Sequence, residues 1–116
     1  MVGEWSDATP IYVQLRERVL DQILEGAIKP GEALPSVRQV AGELAINPLT
    51  VSKAYQALAD EGVVEKRRGM GIYVAQGADR ELRLRERERF LSEEWPLVVA
   101  RIRRLDLSPD ALLRQL

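Results

Sequence analysis

A mainly α chain with one small β-hairpin and a C-terminal helical region is the architecture this sequence predicts, and three observations carry it. Helix-period apolar stripes, each opened by a capping residue or a proline, fill residues 10 to 62. Directly after them "VVEKRRGMGIYVA" changes to an alternating period around two glycines. From residue 77 the composition shifts again, to mixed charge followed by apolar residues at heptad spacing.

Thr9-Pro10 announces the first helix as an N-cap followed by proline at the first helical position, where a missing N–H costs nothing. Ile11, Leu15, Val19 and Ile23 form its stripe, widened by Leu20 and Leu24, and Gly26 offers a C-cap. "AIKPGEALP" reads as a turn. Ser36 with Gln39 makes a capping-box pattern, starting a short helix to about Ala45 that buries Val37, Val40, Ala41 and Leu44. Asn47-Pro48 begins the next helix, which buries Val51, Ala54, Tyr55 and Leu58 and ends near Gly62. Two short helices joined by so tight a turn describe a helix-turn-helix, and the hairpin built around Arg68-Gly69-Met70-Gly71 turns it into a winged helix. The domain is expected over 1–76.

Residues 77–116 are expected to form a separate helical dimerisation region. "ADRELRLRERERFLSEEW" suits an exposed helix laced with charge pairs one turn apart. Leu84, Leu91, Trp95, Val98, Ile102 and Leu105 follow at spacings of seven, four, three, four and three, the pattern of a helix packed along a partner. Pro96 either kinks this helix or starts a new one. Ser108-Pro109-Asp110 repeats the cap-plus-proline start of a final short helix.

Composition narrows the chemistry. The chain of 116 residues has no His and no Cys, which removes Ser/His and Cys nucleophile pairs, disulfides and the usual zinc sites. Its carboxylates show no grouping away from solvent-facing helix positions, so neither an enzyme nor a metal or other cofactor is expected. No leader and no apolar run near the length of a membrane span is visible, and the expectation is a cytoplasmic protein without membrane contact. A net charge of −1 argues on its face against nucleic-acid binding. Distribution matters more than the sum, because Lys66, Arg67 and Arg68 form a local cationic tip.

In a winged helix the third helix lies in the major groove with its first residues toward base edges. Thr50, Ser52, Lys53 and Gln56 occupy its polar face, opposite Val51, Tyr55 and Leu58. Thr and Ser can reach bases or phosphates, Gln can pair with adenine, and Lys can do either, although any surface helix is polar outside. Arg38, at the second position of its helix, could reach a phosphate or a guanine. Lys66, Arg67 and Arg68 approach the hairpin tip, which Gly69 and Gly71 allow close to DNA.

The stretch "LPSVRQVAGELAINPLTVSKAYQALADEGVVEKRRGMGIYV", with "PIYVQL" and "GAIKPGEALPS" upstream, resembles the DNA-binding domain of the GntR family of bacterial transcriptional regulators. Leu34-Pro35-Ser36, Arg38, Asn47-Pro48, Thr50-Val51, Ala54-Tyr55, Leu58, Gly62 and Arg68-Gly69-x-Gly71 fall in family order. Asn-Pro before Thr-Val is similar in particular to the YtrA subfamily, whose short helical C-terminal region replaces a large effector domain. The resemblance implies DNA contacts from Arg38, Asn47, Thr50, Ser52, Lys53, Arg68 and Gly69. Pro48 stands where several relatives have a basic residue and Ser52 where some have Arg, so base readout is expected to differ from theirs. Leu49 occupies a position that is often polar in similar sequences, and contact with a thymine methyl and internal packing are both open to it.

The resulting expectation is a homodimeric repressor on a palindromic DNA operator, with a transporter operon as the target class the subfamily implies. Leu84, Leu91, Trp95, Val98, Ile102 and Leu105 would form the dimer seam, with the Trp95 indole as anchor. No pocket for a small-molecule effector is legible. The alternative is a winged helix used for protein contact, without DNA sequence preference.

Overall fold

The computed structural model describes residues 4–116 and divides them into a unit ending at Leu82 and a second unit, Arg83–Leu116. The first contains α1 (Ile11–Leu24), α2 (Val37–Leu44), α3 (Pro48–Asp60), the antiparallel hairpin β1 (Val64–Arg67) and β2 (Gly71–Val74), and the start of α4 (Ala78–Arg89). The second contains the rest of α4, a π-helical turn (Phe90–Glu94), α5 (Trp95–Arg104) and α6 (Pro109–Leu113). Among the described residues no helix is long and apolar enough to cross a membrane.

α1 and α2 both pack on α3, whose Val51, Ala54, Tyr55 and Leu58 are all buried as the stripe predicts. Leu15, Val19 and Ile23 of α1 join them, as do Val40, Ala41 and Leu44 of α2, whereas Val37 is only half-buried at the rim. Among the described residues, Tyr55 is the one fully buried core residue with a polar tip. Its hydroxyl donates to the Pro35 carbonyl at 2.7 Å, tying α3 to the residue before the α2 cap. Burial pushes the phenol up to about 12.

Helix starts follow the capping chemistry with one correction. The Ser36 hydroxyl accepts from Gln39 N–H, Asn47 Oδ1 from Leu49 N–H at 2.9 Å, and Ser108 from Ala111 N–H. At α1, however, Pro10 itself is the N-cap and Thr9 caps nothing, because the Gln14 amide holds the lead-in instead. Gln14 Nε2 donates to the Ser6 and Thr9 carbonyls at 2.9 and 2.8 Å, and its Oε1 accepts from Ser6 N–H at 3.0 Å. α2 ends on Ala45 in the left-handed region, a sharp stop that lets α3 begin three residues later at Pro48.

The turn before α2 is more ordered than its Pro-Gly composition predicts. Gly31 N–H donates to Val74 O, Val74 N–H to Glu32 O and Leu34 N–H to Ile72 O, each at 2.8 Å, so this segment runs beside β2. Gly31 sits at φ +85°, a conformation that side chains rarely adopt, and a Cβ there would stand 3.0 Å from the end of the Gln76 side chain. The hairpin is thereby clamped to the start of α2.

The first compact unit runs to Leu82, because Ala78 and Leu82 at the start of α4 belong to its core. Pro96 does not separate two helices. The backbone stays in the right-handed helical region at Arg89, Glu94 and Trp95, and Trp95 N–H bonds five residues back to Phe90 O. The widened π turn thus accommodates a proline that would otherwise collide with the preceding turn.

Candidate nucleic-acid interface

α3 begins with two local constraints, a cap from the Asn47 side chain and the fixed φ of Pro48. Asn47 Oδ1 is therefore occupied by Leu49 N–H, and its Nδ2 is the part left to face a partner. Beyond this start, Leu49, Ser52, Lys53, Gln56 and Asp60 recur at helical spacing and are all exposed, forming one row along α3. Thr50 is half-buried and flanks that row. Leu49 is 74% exposed, which resolves its two roles against internal packing.

Several of the predicted side chains are already held in place. Lys53 Nζ lies 4.2 Å from the centroid of the Tyr12 ring of α1, a cation–π contact that keeps the ammonium at the α1 side of the row. Gln56 Nε2 donates to Asp60 at 2.9 Å, while its Oε1 accepts from Lys66 Nζ at 2.8 Å. This second bond joins α3 to β1 across the gap between helix and hairpin. Strand alternation explains it: Val64, Lys66, Ile72 and Val74 share the face turned to the core, and Lys66 continues that face past its apolar end.

The other hairpin face carries Glu65, Arg67 and Tyr73. Arg67 stacks on the Tyr73 ring at 4.1 Å and reaches Glu65 at 3.7 Å, so it is folded along the strand rather than extended from the tip. Arg68 and Gly69 form the tip itself, with Gly69 at φ +73° in a conformation that favours glycine. Arg38 projects from the first turn of α2. Among the described residues, neither Arg38 nor Arg68 has a side-chain partner, which leaves these two guanidinium groups available to anions.

The structure thus gathers Leu49, Ser52, Lys53, Gln56 and Lys66 on the α3 row and its link to the hairpin, with Thr50 beside them and Arg67 turned away. Sequence reasoning missed Tyr12 and Tyr73 as supports for cations, and Asp60 as the acid behind Gln56. The Gln56–Asp60 pair was legible as an i, i+4 spacing, whereas the tyrosines carry no local signal.

In the second unit no described side chain is fully buried. α5 and α6 enclose an apolar groove of about 860 Å³ whose walls include Trp95, Val98, Ile102, Leu105, Leu112 and Leu113. Trp95, Val98, Ile102 and Leu105 of the predicted seam come together there. Leu84 and Leu91 lie outside it, both 57% exposed, on α4 and the π turn. A π turn winds less per residue than an α turn, so the apolar stripe drifts across the junction.

Comparison with known proteins agrees with this geometry. The model of the bacterial regulatory proteins of the gntR family matches residues 11–74, which is the span from the start of α1 to the end of β2. The HTH-type transcriptional repressor YtrA of Bacillus subtilis is 46% identical over 71 residues, 61% of this chain and 55% of that protein. The solved structure of YtrA from Sulfolobus acidocaldarius, a GntR-family transcription factor, superposes with a TM-score of 0.60 at 34% identity, covering 78% of this chain and 95% of that one. The DNA-binding domain of AraR, solved in complex with operator ORR3, matches with a TM-score of 0.57 at 25% identity, over 62% of this chain and 87% of that one. The matched segments span roughly half to two thirds of the length of the first curated relatives. With the family match covering α1 to β2 without interruption, the chain belongs to the GntR family of bacterial regulatory proteins.

Proposed function

We propose that this protein is a DNA-binding transcriptional regulator, acting as a repressor in the cytoplasm by occupying a palindromic operator as a homodimer. The observation that carries the reading is the exposed α3 row, started by a side-chain cap and bonded through Gln56–Lys66 to the hairpin, so that helix and wing address one partner together. The operator complex of the AraR domain supports carrying that geometry to DNA.

In this reading residues 1–76 bind DNA. Asn47, Thr50, Ser52, Lys53 and Gln56 face base edges or the adjoining phosphates, and Arg38, Lys66, Arg68 and Gly69 hold the backbone, while Arg67, stacked on Tyr73, takes no part. Lys53 and Lys66 keep donors to spare, since an ammonium has three. Residues 77–116 form the dimer region. Its part Arg83–Leu116, which fully buries none of its side chains and opens an apolar groove at Trp95, Val98, Ile102 and Leu105, gains most from a second copy of the same helices. Control of a transporter operon follows from the subfamily resemblance.

Selection of bound sequences from random duplex DNA tests the reading. Enrichment of an inverted repeat is expected, its half-sites about one helical turn apart or a multiple of it. A bound pool with no enriched sequence would refute the proposal in favour of protein contact.

A further inference from the structure

The first unit buries its large apolar side chains, and among the described residues two are exposed, Leu49 and Met70. A single exposed leucine on a protein surface ordinarily means little. Leu49 differs by its position and its preparation. It stands at the head of the α3 row, ahead of Ser52, Lys53 and Gln56, and is 74% exposed. Its backbone is fixed twice at the helix start, by Pro48 before it and by the Asn47 cap on its own N–H. Its neighbours on the row, Lys53 and Gln56, are held by Tyr12 and by Asp60 with Lys66, which leaves no side chain folded over the leucine methyls.

We propose that Leu49 is a specificity-determining residue that packs on the C5-methyl group of a thymine in each half-site. The inference rests on the DNA-binding reading given above. Of the groups that base pairs present in the major groove, the thymine methyl is the apolar one, and a branched aliphatic side chain can recognise nothing else there. Amide and hydroxyl groups on the same row read hydrogen-bonding edges. Leu49 supplies the one contact they cannot.

Deoxyuridine differs from thymidine only by that methyl group, which makes the test specific. Each thymine of the selected operator is replaced singly by deoxyuridine, and affinity is measured by fluorescence anisotropy at one fixed salt concentration for the wild type, Leu49→Ala and Leu49→Met. One position per half-site is expected to weaken wild-type binding by about fourfold, the worth of one buried methyl. Leu49→Met is expected to keep that sensitivity and Leu49→Ala to lose it, binding both duplexes equally. Because the side chain is exposed, both variants are expected to fold, and circular dichroism verifies this. If every thymine replacement affects wild type and Leu49→Ala alike, the inference is overturned while the regulator reading stands. If selection enriches no sequence at all, the regulator reading fails and takes the inference with it.

Discussion

Asn47 serves two purposes that can be separated by experiment. Its Oδ1 caps α3 through Leu49 N–H at 2.9 Å, and its Nδ2 is proposed to face DNA. Asn47→Ala removes both. Asn47→Asp keeps a capping oxygen, suits the positive end of the helix, and replaces the donor with an anion facing phosphates. The cap is solvent-exposed and makes a single bond, so its loss in Asn47→Ala is worth about 1 kcal/mol, or roughly 4–8 °C in melting temperature for a unit of this size. Asn47→Asp should melt within about 0.5 kcal/mol of wild type, as cap-compatible surface changes do. On the selected operator, by contrast, both variants should lose about 1–3 kcal/mol, the usual worth of a lost base contact. Thermal unfolding by circular dichroism measures the first effect and anisotropy titration the second. An Asn47→Asp protein that binds as tightly as wild type would refute the proposed contact, and an Asn47→Ala protein with unchanged melting would refute the cap.

Tyr55→Phe should cost about 1–3 kcal/mol, because it leaves the Pro35 carbonyl without its donor, while sequence preference on DNA stays the same. The buried phenol also sets an alkaline limit. With a folded value of about 12 against 10.0 unfolded, its stabilising contribution is complete below pH 10 and is lost between pH 10 and 12, a fall in urea midpoint that Tyr55→Phe should not share. Arg68→Ala should weaken binding to cognate and random DNA alike and reduce the salt slope by about 1, as expected for one phosphate contact; an unchanged slope would exclude that contact. Replacing Trp95 and Val98 by Ser should yield monomers in sedimentation velocity, and a persistent dimer would place the interface outside the α5–α6 groove.

Short-range chemistry made much of this protein legible from its sequence. Ser36, Asn47 and Ser108 cap helices through bonds spanning two or three residues, apolar stripes identify buried faces by period alone, and the glycines around Met70 mark the hairpin turn. The α1 start also has a local cause, since Thr9 makes no cap and the Gln14 side chain instead bonds the Ser6 and Thr9 backbone. What the sequence could not determine depends on elements far apart in the chain meeting at hydrogen-bond distance. Lys53 and Arg67 were indistinguishable from any other cations until Tyr12 and Tyr73 were found beneath them. Gln56 could not be paired with Lys66, nor the Gly31–Leu34 segment with β2, until α3 and the hairpin were packed on one core. Leu49 shows both limits at once: its place on α3 follows from the Asn-Pro start, but its exposure was decided by how α1 and α2 cover the opposite face of that helix.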